Sequence, residues 1–455
     1  MVMHALNGFA DRVWTPQGWI ADAQVRYGAD GLEFAPAGVL PAAVERLGRW
    51  VLPGLANLHS HAFQRAMAGL AERQGNAEDS FWTWREVMYA FAGRIGPEAL
   101  RAIAAQLYVE MLKAGYTRVC EFHYLHHRPD GAPYADPAEM ALALIEAARE
   151  TGIGLTLLPT LYLTGGFDGR ALGPRQVRFG HTVDAFLRLV ERLRALESDR
   201  LNVGIALHSL RAVPPDALAA VLASEPAQHG PIHIHIAEQI GEVQDCLSLR
   251  GARPVEWLFD HAAVDARWCL VHATHLTDRE TDRLAASGAV AGLCPTTEAN
   301  LGDGLFPLKR YLAGSGAFGI GSDSHISVSP VEELRWLEYG QRLSAHRRNI
   351  AVAPGQPSTG EWLFGKAWAG GLQAAGLGGG GRLRGDDLLV LDADAPLLAG
   401  RDTDHLLDTW LFAGNVPLVR HVHGGGRWLV RDFHHHDEDR IAATYRSAVA
   451  ALRAD

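Results

Sequence analysis

The sequence predicts an α/β protein, a (β/α)8 TIM-like barrel with a small β-sandwich domain formed from both chain ends. Three observations predict it. Eight short apolar runs, each bounded by turn signals, alternate with segments of helical periodicity. Histidines and acids gather where those runs end. The two ends of the chain carry a different pattern, short alternating stretches with turn glycines.

The runs are 50–58 (WVLPGLANL), 117–124 (TRVCEFHY), 154–162 (GLTLLPTLY) and 203–209 (VGIALHS), then 231–237 (PIHIHIA), 268–274 (WCLVHAT), 289–295 (AVAGLCP) and 317–322 (AFGIGS). Between them, Leu100, Ile103, Leu107 and Met111 repeat on one helix face before Gly115 as a stop. Residues 136–152 read as a helix capped by Asp136, with Pro137 first and Glu139 three residues on. Residues 214–223, 239–260, 277–287 and 330–343 are helical on similar grounds. An open doubly wound sheet would also alternate, but a count of eight favours closure. Residues 50–375 form the barrel, 1–49 plus 382–433 the small β domain (WIADAQVRY, DLLVLDADAP, RWLVRDF), and 437–453 a final helix. The run 376–381 (GLGGGG) is a linker; no helix with a phosphate-loop lysine follows it.

Composition narrows the class. The chain has 455 residues, 48% hydrophobic and 21% charged, which excludes disorder and fibres. A formal charge of −10 argues against nucleic acid or a membrane surface as partner. Cys120, Cys246, Cys269 and Cys294 lie far apart, so a disulfide framework is not expected. The start MVMHALNGFADRVW has neither the basic end nor the apolar run of a signal peptide, and a cytoplasmic enzyme is expected. Histidine is plentiful, 22 residues, whereas lysine occurs only at Lys113, Lys309 and Lys366. The run His434-His435-His436 lies in a polar segment and reads as solvated surface.

Ligands in such a barrel come from the C-terminal ends of strands. The first run ends in His59-Ser60-His61, whose imidazoles share a strand face. HxH alone is a weak signal. The fifth run supplies His233, His235 and then Glu238; the sixth His272, with His275 nearby; the eighth leads into Asp323, with His325 two residues on. Spacing leaves His233 and His235 as equal claimants. Three imidazoles and a carboxylate suit one borderline divalent cation, zinc first, with iron and manganese as alternatives. Glu238 is placed to move protons, or else to orient a ligand.

The order HxH, HxxE, a histidine on strand six and an aspartate on strand eight resembles the amidohydrolase superfamily, over nearly the whole chain. Within it, LPGLANLHSHAFQRAMAGLAE, SFWTWREVMY, YVEMLKAGYTRVCEFHY, HIHIAEQ, WCLVHATH, TEANLGDG and GIGSDSHISVSPVEELRWLEYGQRL resemble the branch acting on N-formimidoyl-L-glutamate in histidine degradation. The resemblance implies metal ligands His59, His61, His235 and Asp323, with His235 chosen because the family pairs its ligand with a glutamate three residues later. It implies Glu238 as proton shuttle, His272 as the group that orients or helps deprotonate the attacking water, and Asp323 as a partner in holding that water. Two-metal relatives commonly use a carboxylated lysine on a barrel strand. None of the three lysines ends a strand, and strand four offers His208 instead, so a single ion is expected.

Substrate anchors are expected near the same mouth: Gln64, Arg85, Tyr124, His208 and Arg211. Arginine presents paired donors matched to carboxylates, so two arginines suit a small dicarboxylate. Arg65 and Arg335 are weaker anchors, His275 and His325 read as packing or loop residues, and Trp82 and Trp84 as packing. The expected reaction is hydrolysis of N-formimidoyl-L-glutamate to N-formyl-L-glutamate and ammonia. The rival is a deaminase of an aminated heterocycle, guanine or a thioadenosine nucleoside, which would want aromatic stacking rather than two arginines. A non-catalytic scaffold would have lost ligand positions. The apolar helix 330–343 is a candidate homodimer interface. Departures from the family fall at 376–381 and Asp386-Asp387 and bear on domain packing only.

Overall fold

At Gly54 the chain passes from one sheet to another. A Cβ at that position would stand 2.1 Å from the Thr117 hydroxyl, so only glycine lets the two segments approach this closely. The run 50–58 is therefore two strands, not the single strand expected. The computed structural model describes residues 6–28, 31–36, 44–73, 81–377 and 387–454. Most of the glycine linker (378–381), Asp386 and the side chain of Trp82 lie outside that description.

Strands β1 (Asn7–Thr15), β2 (Gly18–Gly28), β3 (Gly31–Pro36) and β4 (Glu45–Pro53) come from the N-terminal end. The barrel follows as β5 (Leu55–Ser60), β6 (Tyr116–His123), β7 (Gly154–Leu161), β8 (Leu201–Val203), β9 (Ile205–Ser209), β10 (Ile232–Ile236), β11 (Trp268–His272), β12 (Val290–Leu293) and β13 (Ala317–Ile320). The C-terminal end returns with β14 (Leu388–Leu391), β15 (Val419–Gly424), β16 (Arg427–Arg431) and β17 (His434–His435).

One eight-stranded sheet runs β17-β16-β15-β14-β4-β1-β2-β3, joining both chain ends through β14 and β4. It encloses a core of its own, with Val13, Val25, Val51, Leu388 and Val390 buried together. Tyr27 meets His423 with ring centroids 5.9 Å apart, so the two halves face each other as a sandwich. His435 is not the solvated residue expected: it is buried, and its Nε2 meets the Thr151 carbonyl at 2.9 Å.

The second sheet runs β5-β6-β7-β9-β10-β11-β12-β13, all parallel, with β8 pairing β7 at the side. Every residue of β6 and β7 is buried, as expected of strands covered on both faces. Closure between β13 and β5 comes late, at the C-terminal ends. There Asp323 N–H donates to the His59 carbonyl at 3.0 Å, and His61 N–H donates to the Asp323 carbonyl at 3.2 Å. The helix Thr359–Ala374 lies across the opposite end. Its Gly370 is where a Cβ would collide with the Phe318 carbonyl at 1.9 Å, so the helix backbone seals the base directly.

Two helices depart from expectation. The span 239–260 is two helices, Ile240–Arg250 and Pro254–His261, because Gly251 turns left-handed (φ 75°) and Pro254 starts anew. The helix placed at 136 begins at Glu139, since the Asp136 carboxylate instead accepts the Ala138 N–H in a turn.

Candidate metal centre and its pocket

The three residues that close the barrel, His59, His61 and Asp323, also bring their side chains together. His59 and His61 leave β5 on one face, and Asp323 bridges back to them from beyond β13. Gly321 makes the approach feasible, since a Cβ there would lie 2.8 Å from the His59 nitrogen. Around this mouth Ala237, His272, Ala273, Asp323 and His325 all adopt φ between +45° and +67°. Such conformations cost non-glycine residues free energy, on the order of 1–3 kcal/mol each. They turn the strand exits so that side chains point into the barrel axis.

The side chains converge. His59 Nε2 stands 2.9 Å from His235 Nε2, and Asp323 Oδ1 lies 3.4 Å from His59 Nε2 and 3.3 Å from His61 Nε2. His272 Nε2 lies 3.9 Å from both Asp323 and Glu238. Groups His59–His61–Asp323 and His59–His235–His272 each bring three ligand atoms within 4.8 Å of one another.

Hydrogen-bond direction tests whether a cation fits. His61 Nδ1 meets the Phe122 carbonyl at 2.9 Å and His235 Nδ1 meets the His208 carbonyl at 3.0 Å. Both protons are thereby spent on Nδ1, leaving bare lone pairs on Nε2. The His61 lone pair faces a carboxylate oxygen, and the His235 lone pair faces Nε2 of His59, whose Nδ1 has no hydrogen-bond partner. A cation resolves that opposition. Burial, then the neighbouring imidazoles, holds His59 and His235 well below the usual histidine range, and burial lowers His61 too. These imidazoles are neutral and ready to ligate.

Glu238 and His272 form an edge of the cluster where both groups are strongly shifted from their usual ionisation. Burial lifts Glu238 to about 7, and Asp323 and Glu242 push it the same way against the pull of His272. Burial opposes protonation of His272, but Glu238, Glu298 and Asp323 outweigh it and raise the imidazole to about 10. Glu298 Oε1 sits 3.3 Å from His272 Nδ1 and also accepts the Cys294 N–H, so it fixes the ring.

Beneath the cluster lies a buried polar network. Ser60 Oγ donates to Glu121 at 2.5 Å and contacts His325 Nε2 at 3.1 Å, while Ala62 N–H donates to the other Glu121 oxygen at 2.7 Å. Asn57 ties β5 to Ser322 through two hydrogen bonds, of 2.6 and 3.0 Å. Burial raises Glu121 to about 8. The network locks the backbone on which His59 and His61 ride.

The pocket above the cluster is lined by all five expected anchors. Gln64 donates to the Tyr124 hydroxyl at 3.0 Å, Arg211 donates to the Tyr162 hydroxyl at 3.3 Å, and Arg85 lies 5.4 Å from the Tyr89 ring centroid. The His208 ring stacks edge-on against Tyr162 at 4.4 Å. Other histidines and arginines lie elsewhere. His233 shares the face of His235 but sits one layer deeper, its Nε2 on the Ala374 carbonyl at 2.8 Å. Arg65 pairs with Glu110, and Arg335 binds the Leu411 carbonyl on the outer surface. Trp84 lines the pocket instead of only packing the loop. Sequence reasoning passed over Tyr89, Tyr162, Glu121, Gln239 and Glu298. All five stood in strings already singled out: Tyr89 in SFWTWREVMY, Glu121 in YVEMLKAGYTRVCEFHY, Tyr162 at the end of the third run, Gln239 in HIHIAEQ and Glu298 in TEANLGDG.

Residues 50–356 match the model of the Amidohydrolase family. The chain is 53% identical over 451 residues to formimidoylglutamate deiminase of Pseudomonas aeruginosa, covering 98% of this chain and 99% of that protein. It is 28% identical over 417 residues to an 8-oxoguanine deaminase of the same species, covering 88% and 87%. A crystal structure of an amidohydrolase from Brucella melitensis superposes with a TM-score of 0.91 at 44% identity, covering 98% of this chain and 99% of the other. Among the described residues, no helix is long and apolar enough to cross a membrane.

Proposed function

We infer the activity from one premise: the chain belongs to the Amidohydrolase family, whose members are metal-dependent hydrolases. It hydrolyses the formimidoyl group of N-formimidoyl-L-glutamate, giving N-formyl-L-glutamate and ammonia, a step of histidine degradation. The observation that carries the substrate is the pocket itself, in which Arg85 and Arg211 share one cavity with His235, Glu238, His272 and Asp323. Two guanidiniums suit two carboxylates, and the acids opposite suit a cationic amidine.

His59, His61, His235 and Asp323 would hold one divalent ion, zinc by the character of its donors. Such an ion acidifies a water, from 15.7 towards roughly 7, and so supplies the nucleophile. The protein's own groups do the rest. Glu238 takes a proton from the attacking water and delivers it to the terminal nitrogen, which then leaves as ammonia while the carbon keeps the new oxygen. His272, held by Glu298, and Asp323 orient the attack. Arg85 and Arg211 take the carboxylates, while Gln64, Tyr124 and His208 fix the chain between them.

Ammonia release from N-formimidoyl-L-glutamate, compared with guanine and methylthioadenosine, tests the reading; release only from a heterocycle would replace it with the rival. Glu238→Gln is expected to keep its metal and lose about 10²–10⁴-fold in turnover. Arg211→Met should raise KM with metal content unchanged. Metal assay should find about one ion per chain.

A further inference from the structure

Behind the arginine side of the pocket, one amide meets two tyrosine hydroxyls. Gln176 precedes the short turn Val177–Phe179 and does not itself line the cavity. Its Oε1 accepts the Gly173 N–H at 3.0 Å, and its own backbone N–H donates to the Gly173 carbonyl at 2.8 Å. The amide oxygen is thereby committed, and the nitrogen must face the tyrosines. That nitrogen donates to the Tyr89 hydroxyl at 3.2 Å and to the Tyr162 hydroxyl at 3.0 Å, one N–H to each. Tyr89 comes from the helix Phe81–Ala92 and Tyr162 from the residue after β7. Both are buried, and both line the pocket with Arg85 and Arg211.

Counting donors shows what is left over. Each hydroxyl oxygen can accept twice and donate once. Tyr162 accepts from Gln176 and also from Arg211, at 3.3 Å, so its oxygen is filled. Tyr89 accepts from Gln176 and can take the Tyr162 proton as well. The Tyr89 O–H then has no acceptor in the pair, and no other bond from it occurs among the described residues. Burial pushes Tyr89 up to about 12, so it keeps that proton at neutral pH. Burial opposes ionisation of Tyr162, but Arg211 outweighs it and draws that hydroxyl below the usual tyrosine range. A buried O–H without an acceptor costs free energy, which a bound acceptor would recover.

We propose that Gln176 is a positioning residue that turns the tyrosine hydroxyls towards the pocket, so that Tyr89 donates to one substrate carboxylate beside Arg211 and selects it over a carboxamide. A carboxylate only accepts, and it suits a seat made only of donors. A carboxamide brings two N–H groups against those donors and leaves a buried group unpaired. The two arginines supply the charge of the seat, and the amide behind it sets the direction of the hydrogens. The proposal rests on N-formimidoyl-L-glutamate as the substrate.

Calorimetric binding of the product, N-formyl-L-glutamate, to the metal-loaded enzyme tests this without turnover. N-formyl-L-glutamine and N-formyl-L-isoglutamine each carry an amide at one of the two carboxyl positions. Tyr89→Phe keeps the ring and removes the donor. It should weaken the diacid about 10–100-fold and narrow its advantage over one monoamide, leaving the advantage over the other unchanged. Gln176→Glu keeps the length and the Gly173 contact but accepts the tyrosine protons, turning them away from the pocket. The same narrowing is expected, although every side chain lining the cavity is intact. With Tyr89 and Tyr162 both changed to Phe, adding Gln176→Glu should have little further effect. A Gln176→Glu loss that persists there is the work of added charge and overturns the role of the amide. Gln176→Met, which donates to neither hydroxyl, serves if Gln176→Glu does not fold, and an unchanged preference in it overturns that role too. Equal weakening of all three ligands by Tyr89→Phe, or none, overturns the seat. Failure of the unaltered enzyme to bind the diacid or to release ammonia overturns the substrate instead, and the seat with it.

Discussion

Two groups of buried histidines meet β6 at adjacent residues, Phe122 and His123. The Phe122 carbonyl orients His61 of the first group, and His123, the next residue, belongs to the second with His126, His127 and His181. Composition and burial do not tell them apart. In the first group Nδ1 of His61 and His235 is spent on carbonyls, the Nε2 atoms of His59 and His61 converge on Asp323, and His235 Nε2 meets His59 Nε2. In the second, His126 and His127 spend Nε2 on the Thr160 and Gly180 carbonyls, and their remaining nitrogens do not close on one point. No carboxylate bonds that group among the described residues. Its nearest charge is Arg178, which donates to the carbonyls of Ala92, Ile95 and His127. The lesson is that a ligand is marked by where its free nitrogen points and by a shared anion.

The second group still serves the pocket. Arg178 fastens the end of the helix Phe81–Ala92, which carries Arg85 and Tyr89. Its neighbour Phe179 lines the pocket directly.

The largest expected effect separates the groups outright. His235→Ala should lose its metal and about 10³-fold or more in activity, by analogy with the loss of an essential site group, whereas His126→Gln should keep its metal. Metal analysis of both proteins checks this, and loss of metal from the second would erase the distinction. Chelation should silence the unaltered enzyme, and zinc should restore it. Next in size, Arg178→Met removes the side-chain donor from three buried carbonyls, of which Ala92 keeps the Ile95 N–H, and should cost about 2–4 kcal/mol in denaturant unfolding, with KM raised more than kcat is lowered. Unchanged stability would remove the fastening role.

A further effect is in pH. Burial holds His123 and His181 down to about 3, while in the unfolded chain a histidine titrates near 6.5. As pH falls below that value the unfolded chain takes up protons that the folded chain refuses. Stability should therefore decline from about pH 6.5 towards 3, by up to about 1.4 kcal/mol per pH unit for each group. Unfolding midpoints at pH 7 and 5 measure the slope, and His181→Gln should flatten it. An equal slope in that variant would place the acid sensitivity elsewhere.

Much of this contrast was legible in one dimension, but unevenly. His59 and His61 could be read because period two puts them on one strand face, and Glu238 because it follows His235 at a fixed step. Asp323 could be read because it sits where a strand ends. Glu298 could not, since it acts through His272, 26 residues away. The split of 50–58 also escaped, because an apolar run shows burial but not which sheet buries it. Period alone likewise could not separate His233 from His235, which differ in depth along the barrel and not in face.

By itself the sequence determined the alternation that builds the barrel, the imidazoles and acids at its strand ends, and the two arginines near its mouth. These are local properties, fixed by side-chain chemistry and strand period. Only the tertiary structure decided which nitrogens are free and which acids are paired. Those depend on carbonyls and carboxylates brought close by closure of the barrel between His59 and Asp323, at a distance that no spacing along the chain records.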